Sequence, residues 1–388
     1  MLSNFFAGKL QNLDDEKLLA TRDALIGIGY VNIISSTDED SYTIFEILNA
    51  RGLDLEDHEL LKNYIMRYLQ PKERRDDAKH IWEEIENNLG SSIDDFLRHY
   101  ALHKYNYNND KKQSISVYKS LQNATRGRNV DKLLDDIKLK SDYYTAFINQ
   151  INCLPKEKEV FMFFKTKRVV VFRPLLLSLR HLLSLEIINE NRYLEILNFI
   201  YNFYICYKII RQENSNMLSD TVYKYAYVLE TNFSDDNLEE FLKNMRSKLP
   251  TLEAFTNSFK NIGYSHCWPI YSDSKCKDRC QLVLNLIEKY ISNRDVNLEV
   301  TIEHILPDSN GIENAQIGNL FLLEENLNRR CKNKSLEDKY NIYNESALMC
   351  PKGFVQRYKG KTFNPVSRTE FLSKLIYNNI LGIPDEQN

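Results

Sequence analysis

NLEVTIEHILPDSNGIENAQIGNLFLLEENLNRRCKNKSLEDKY, residues 297–340, is the stretch whose reading decides the fold of the C-terminal part. Val300 and Ile302 alternate with polar residues and lead into Glu303-His304-Ile305-Leu306-Pro307. That is the period-2 pattern of a strand. A polar loop follows. Ile317 to Leu323, containing Gly318-Asn319, reads as a second short strand, and the segment carrying Asn328, Arg329 and Arg330 reads as a helix. Strand, loop, strand and helix thus present one His and two Asn in chain order.

Those residue types suit the hydrolysis of a phosphodiester. The reaction needs a base for the attacking water, a cation for the developing charge, and a frame that holds both in register. His304 suits the base, because imidazole titrates near neutrality. Glu303 is its strand neighbour, so the two side chains point to opposite faces. One can reach a metal while the other addresses the water. Asn328, early on the helix, can close the metal site from the other side. Carboxylate and amide oxygens are hard ligands and suit one Mg2+ or Mn2+ ion. Asn319 can hold the His304 loop through hydrogen bonds from side chain to backbone. Charge points the same way. Residues 326–368 carry ten Lys and Arg against three acids, a net charge of +7 inside a chain of net charge −3. Within that run Arg329, Arg330, Lys332, Lys334 and Lys339 are the candidate nucleic-acid contacts, and binding through them would weaken with salt. The interleaved Tyr340, Tyr343, Phe354 and Tyr358 read as core rather than base-stacking groups.

The rest of the composition sets bounds. A length of 388 residues allows two or three domains. Hydrophobic residues make up 43% and charged residues 27%, which suits a globular protein and excludes a disordered one. Twelve Gly and nine Pro are few and favour long helices. Seven Cys without paired spacing indicate reduced thiols and a cytoplasmic location. The N-terminal residues lack the basic segment and long apolar run of a signal peptide. The apolar run from Tyr193 to Ile210 is broken by Glu195, Asn198, Asn202 and Lys208. It reads as a buried helix, so no membrane is implied.

Along the chain, residues 14–26 read as a helix and Ile28 to Ser35 as a strand. Tyr42 to Gly52 reads as a helix with a glycine cap, and a further helix follows Asp54. From Pro71 to Arg294 the pattern is helical, interrupted by a polar loop at Tyr105 to Ser114. Pro174 suits the first turn of a helix. Asp273 to Ser292 forms another. His99 and His103 sit at i and i+4, a spacing that could hold a metal, but no acid partner stands near them in sequence, which weighs against such a site. Phe161 to Arg173 reads as a buried element with a charged end.

One segment is more distinctive than its structure requires. FEILNARGLDLEDHELLKN, with Phe45, Asn49, Gly52, Leu55, Leu60, Lys62 and Asn63, resembles the end of the ParB-like domain of GmrSD-type modification-dependent restriction endonucleases. The Asp-Gly-Gln-Gln-Arg nucleotide box of that domain does not occur in this sequence. The resemblance therefore implies the C-terminal part of such a protein, with a separate chain as a candidate source of the NTPase half. Glu303-His304-Ile305-x-Pro307, Gly318-Asn319-Leu320 and Leu327-Asn328-Arg329 in turn resemble the HNH, or ββα-metal, nuclease finger of the same family. That resemblance implies His304 as general base, Glu303 and Asn328 as metal ligands, and Asn319 as a structural residue. The family's lysine near the end of the helix is matched by Lys334 or Lys339. Zinc is not implied, because Cys276, Cys280, Cys331 and Cys350 lack knuckle spacing.

The expected architecture is mainly α, a helical array with a C-terminal ββα finger and a short α/β remnant at the start. The expected division is 1–70 for the remnant, 71–294 for a helical linker and 295–388 for the nuclease domain. The expected function is metal-dependent hydrolysis of DNA in restriction of foreign or modified phage DNA. Two readings stand beside it: a catalytically silent helical module that binds DNA or protein, and an RNA-cleaving toxin.

Overall fold

Apolar residues spaced three and four apart build helices over most of the described residues up to Ser292. The computed structural model describes residues 10, 13–29, 56–105, 116–332 and 334–384, with positions 32, 34, 37, 40, 41 and 44. The first helices are α1 (Asp15–Ile26), α2 (Asp57–Tyr68), α3 (Arg75–Leu89), α4 (Ile93–Tyr105), α5 (Val117–Thr125) and α6 (Val130–Asn149). They are followed by α7 (Pro155–Thr166), α8 (Arg173–Ser184), α9 (Glu190–Tyr204), α10 (Ser219–Thr231), α11 (Asp235–Arg246), α12 (Leu252–Phe259) and α13 (Ser274–Ser292). Side chains of Asn189, Ser234, Thr251 and Asp273 accept backbone N–H groups in the first turns of α9, α11, α12 and α13, which fixes where those helices begin. Pro174 lies in the first turn of α8. No helix among the described residues is long and apolar enough to cross a membrane.

The array is held by aliphatic and aromatic burial and by a polar knot at its centre. Trp82, Tyr64, Tyr100, Tyr144 and Tyr193 are among its largest fully buried side chains. At its centre α4, α8 and α10 pack together. There the side chains of Glu230 and Lys140 are both fully buried and 3.0 Å apart. His181 Nδ1, Lys104 Nζ and His103 Nδ1 lie 3.0, 3.1 and 3.6 Å from the same carboxylate. Burial pushes the Glu230 carboxyl upward, but the bonds from His103 and His181 and the charge of Lys140 outweigh it and hold the group low. The sequence shows no acid beside His103. The fold supplies one from α10, more than a hundred residues away. His99 Nδ1 meets Tyr144 Oη at 2.9 Å.

This packing makes the fold acid-sensitive. Burial, with Arg173 and Arg98 nearby, lowers His99 to about 3. The folded value lies below the unfolded one, so the unfolded chain binds more protons between the two. Stability is then full above about 6.5 and falls as pH drops. At pH 5 this group alone costs about 2 kcal/mol relative to pH 7.5, and the lowering of His103 adds to it. Thermal unfolding at the two pH values checks this; an unchanged Tm would refute it.

Among the described residues the sheet consists of β1 (Val300–His304) and β2 (Leu320–Glu324), paired antiparallel with His304 opposite Leu320. Helices α14 (Glu325–Cys331), α15 (Leu336–Glu345), α16 (Met349–Tyr358) and α17 (Pro365–Lys374) complete the C-terminal part. The hairpin separates two cores. Ile302, Leu320 and Leu322 join the large core of the helical array. Phe321 and Leu323 face a smaller core with Leu327, Tyr340, Tyr343 and Phe354.

The structure is thus mainly helical, as the sequence implies, with details that differ. The second strand starts at Leu320, because Ile317–Asn319 forms a 3-10 turn instead. Gly318 there presses against α17, where a Cβ would overlap Pro365 O and Thr369 Oγ1. Of the expected strand Ile28 to Ser35, the described positions carry no strand. Phe45, Asn49, Gly52 and Leu55, most of the Tyr42–Gly52 helix, and nearly all of the loop from 105 to 114 lie outside the described residues.

Candidate active site

His304 is the last residue of β1. Even-numbered residues of that strand face the helical array, so its imidazole points that way. It meets the segment that follows α12. Residues 262–264 run beside residues 315–317, with Tyr264 N donating to Ala315 O and Ile317 N donating to Ile262 O, both at 2.9 Å. Gly263 permits this approach, since a Cβ there would overlap Ala315 O. The result presents Tyr264 O to His304 Nε2 at 2.8 Å. A carbonyl only accepts, so Nε2 carries the proton and Nδ1 keeps its lone pair. No hydrogen-bond partner of Nδ1 is found among the described residues.

Asp308 stands beside this imidazole, its Oδ2 at 3.9 Å from Nε2. A turn clamps it: Ser265 Oγ donates to Oδ2 at 2.6 Å and Trp268 Nε1 donates to Asp308 O at 2.7 Å. Burial pulls its carboxyl upward, but Ser265, the His304 imidazole and Cys267 prevail and hold it below the ordinary range. An ionised Asp308 favours the imidazolium that forms when Nδ1 accepts a proton. Sequence reasoning missed both Asp308 and Tyr264. Asp308 follows Pro307 four residues after His304, a weak signal. Tyr264 O carries no sequence signal.

Asn319 is fully buried and closes the loop between the strands. Its Oδ1 accepts from Leu306 N at 2.9 Å, and its Nδ2 donates to Leu306 O and Asn314 O at 2.7 and 2.8 Å. Those are the loop-holding bonds the sequence leads one to expect. Asn319→Ala leaves these backbone groups buried and unpaired. It is expected to lower the unfolding free energy by about 2–4 kcal/mol, read by urea denaturation; a loss under about 1 kcal/mol would contradict this account.

Glu303 lies on the other face, and the structure does not bring it to His304. It is 4% exposed. Lys339 Nζ and Tyr343 Oη both donate to its Oε1 at 2.8 Å. Lys339 also donates to His304 O at 2.7 Å and Ile305 O at 3.2 Å. The lysine ammonium thus occupies the cation position beside the carboxylate. Asn328 shares that face, its Nδ2 donating to Thr301 Oγ1 at 2.7 Å and Ile302 O at 3.1 Å. Thus Asn328 ties α14 to β1. Among the described residues no group of three or more His, Cys, Asp or Glu is arranged to hold a metal ion. As arranged, Glu303 and Asn328 do not fit the divalent ion expected of them, because a divalent ion at Glu303 has to displace Lys339 first. Cys280 is fully buried on α13, and Cys276 Sγ donates to Ile270 O at 3.5 Å.

The basic run is also redistributed. Lys339 is buried, which removes it from the nucleic-acid contacts expected from sequence. Arg368 is buried too, donating to Gly318 O and Leu320 O at 2.8 and 2.9 Å, so it builds the turn into β2. Arg330 forms a two-pronged pair with Glu345 at 2.6 and 2.7 Å, and Arg329 pairs with Glu325. Lys332 and Lys334 are exposed.

Residues 250–363 match the family model described as GmrSD restriction endonucleases, C-terminal domain. The C-terminal part of this chain is of the GmrSD type. No curated protein matches the chain. Residues 250–363 are thus similar to the C-terminal domain of GmrSD restriction endonucleases. The match begins at residue 250, and so includes the Ile262–Trp268 segment that meets His304. It ends before α17, although Arg368 and Thr369 of that helix hold the GmrSD-type hairpin.

Proposed function

We propose that this protein hydrolyses DNA phosphodiester bonds, in restriction of foreign or modified phage DNA, and that β1, β2 and α14 form an HNH-type finger with His304 as general base. The observation that carries the proposal is the bond between His304 Nε2 and Tyr264 O, which leaves Nδ1 as the basic atom at the end of a strand–strand–helix unit. The GmrSD match supports a nuclease reading of the same residues.

In this mechanism Nδ1 takes the proton of the attacking water. Tyr264 O holds the ring in one tautomer and orientation. Asp308 favours the imidazolium so formed. Asn319 fixes the loop that follows His304, and with it the position of the base. Arg329, Arg330, Lys332 and Lys334 provide the exposed cations for backbone phosphates. Lys332 and Lys334, which have no acidic partner among the described residues, contribute most to the salt dependence of binding.

A second reading is favoured by the Lys339–Glu303 pair. Closure of the acid beside the base suits a helical module that binds DNA without cleaving it. One assay separates the readings. Supercoiled plasmid and a matched RNA are incubated with the full chain and with Mg2+, Mn2+ or a chelator, on modified and unmodified DNA, with and without nucleotide. Nicking of DNA supports the nuclease. Preferential RNA cleavage would move the assignment to a ribonuclease, and binding without any cleavage to the silent module. Activity restored only by an added NTPase subunit would support a separate chain supplying that half.

A further inference from the structure

A cavity of about 410 Å3 lies in the helical array, between the end of α4 and the start of α6. It shares no residue with the His304 site. Its size falls in the range of small-molecule pockets, about 300–1,000 Å3. The wall carries Lys104, Arg128 and Lys132 against one acid, Asp136. That acid is already engaged, by Tyr100 Oη at 2.7 Å and Lys104 Nζ at 3.4 Å. Arg128 and Lys132 are exposed and have no acidic partner among the described residues. Between them begins α6, a helix of 20 residues. Asn129, its N-cap, adopts a left-handed conformation and makes no capping bond with its side chain. The N–H groups of the first turn therefore lack a side-chain acceptor at this position. Asp131, the acid of that turn, is drawn toward Arg74 at 3.9 Å.

We propose that this cavity binds a phosphate monoester of mononucleotide size. Two cations without an acidic partner among the described residues, a helix start without a side-chain cap and an acid already engaged by Tyr100 and Lys104 line one solvent-open cleft, and that combination favours an anion with several acceptor oxygens. Lys104 links the site to the interior, since it also contacts the buried Glu230 at 3.1 Å. Tyr105, half-buried on the same wall, offers ring surface for a base, while Tyr100 is fully buried behind it.

Isothermal titration of the full chain with AMP, GMP, inorganic phosphate and the matching nucleosides tests this. The nucleotides and inorganic phosphate are expected to bind, and the nucleosides not. The double variant Arg128→Ala/Lys132→Ala is expected to weaken binding at least tenfold. Both side chains are on the surface, and unfolding curves will verify that the variant is folded. His304→Ala is expected to bind as the wild type does, so this result stands apart from the nuclease assignment. Equal binding by the double variant, no binding by the wild type, or binding confined to a DNA oligonucleotide would each overturn the proposal.

Discussion

His304→Ala is expected to reduce plasmid nicking at least a thousandfold while leaving the fold intact. The imidazole is about one-fifth exposed and spends its one protein hydrogen bond on Tyr264 O. Removing it deletes the base and leaves a single backbone carbonyl, Tyr264 O, without its donor. General-base catalysis is worth about 10²–10⁴-fold, and positioning of the water adds to that. His304→Gln is the sharper variant, because its amide can still donate to Tyr264 O but cannot take a proton at neutral pH. Both variants are expected to melt within a few degrees of the wild type. Initial rates at matched protein concentration decide the matter. Residual nicking equal to that of the wild type would remove His304 from the chemistry.

Lys339→Ala is expected to be the most destabilising single change in the C-terminal part. The ammonium satisfies Glu303 and two successive backbone carbonyls at the end of β1. Its removal leaves a carboxylate 4% exposed, with the Tyr343 hydroxyl as its one remaining donor among the described residues. Breaking one side of a buried ion pair costs about 3–5 kcal/mol. The double variant Lys339→Met/Glu303→Gln is expected to recover much of that loss, because no uncompensated charge remains. Urea unfolding of the single and double variants gives the coupling. If Lys339→Ala costs under about 1 kcal/mol, the pair is open in solution and Glu303 is accessible after all. The same variants then bear on metal dependence, since freeing Glu303 from its lysine exposes an oxygen donor.

Periodicity carried much of the fold. Strand β1, helix α14 and the long helices from α2 to α13 follow from spacing and capping residues that act locally. The role of Asn319 in the loop was also readable, because an Asn beside Gly between two apolar runs has few other uses. What the sequence concealed is long-range. Strand alternation places Glu303 on the face opposite His304, where it is expected to meet a metal, and that alternation holds. It could not show that Lys339, on a helix thirty-odd positions later, reaches back into the same face. Lys339 and Arg368 look like members of a basic surface run, and their burial depends on which turn of α15 and α17 meets the hairpin. His103 and Glu230 repeat the lesson in the helical array: two groups with no sequence relation become neighbours through packing of α4 against α10.

The bond from His304 to Tyr264 O has a consequence for any attempt to isolate or transplant the motif. Every polar side chain of the His–Asn–Asn pattern lies between residues 303 and 328. A fragment starting at residue 295 would keep them all. It would lose the carbonyl that selects the tautomer of the imidazole, the Ser265 and Trp268 groups that clamp Asp308, and the backbone pairing at Gly263. Such a fragment has the letters of the motif but a ring free to turn, with either nitrogen protonated. A fragment that keeps these contacts therefore starts upstream of Ile262 and runs through α17. A chimera that moves only the ββα segment onto another scaffold must bring a surrogate for one main-chain oxygen.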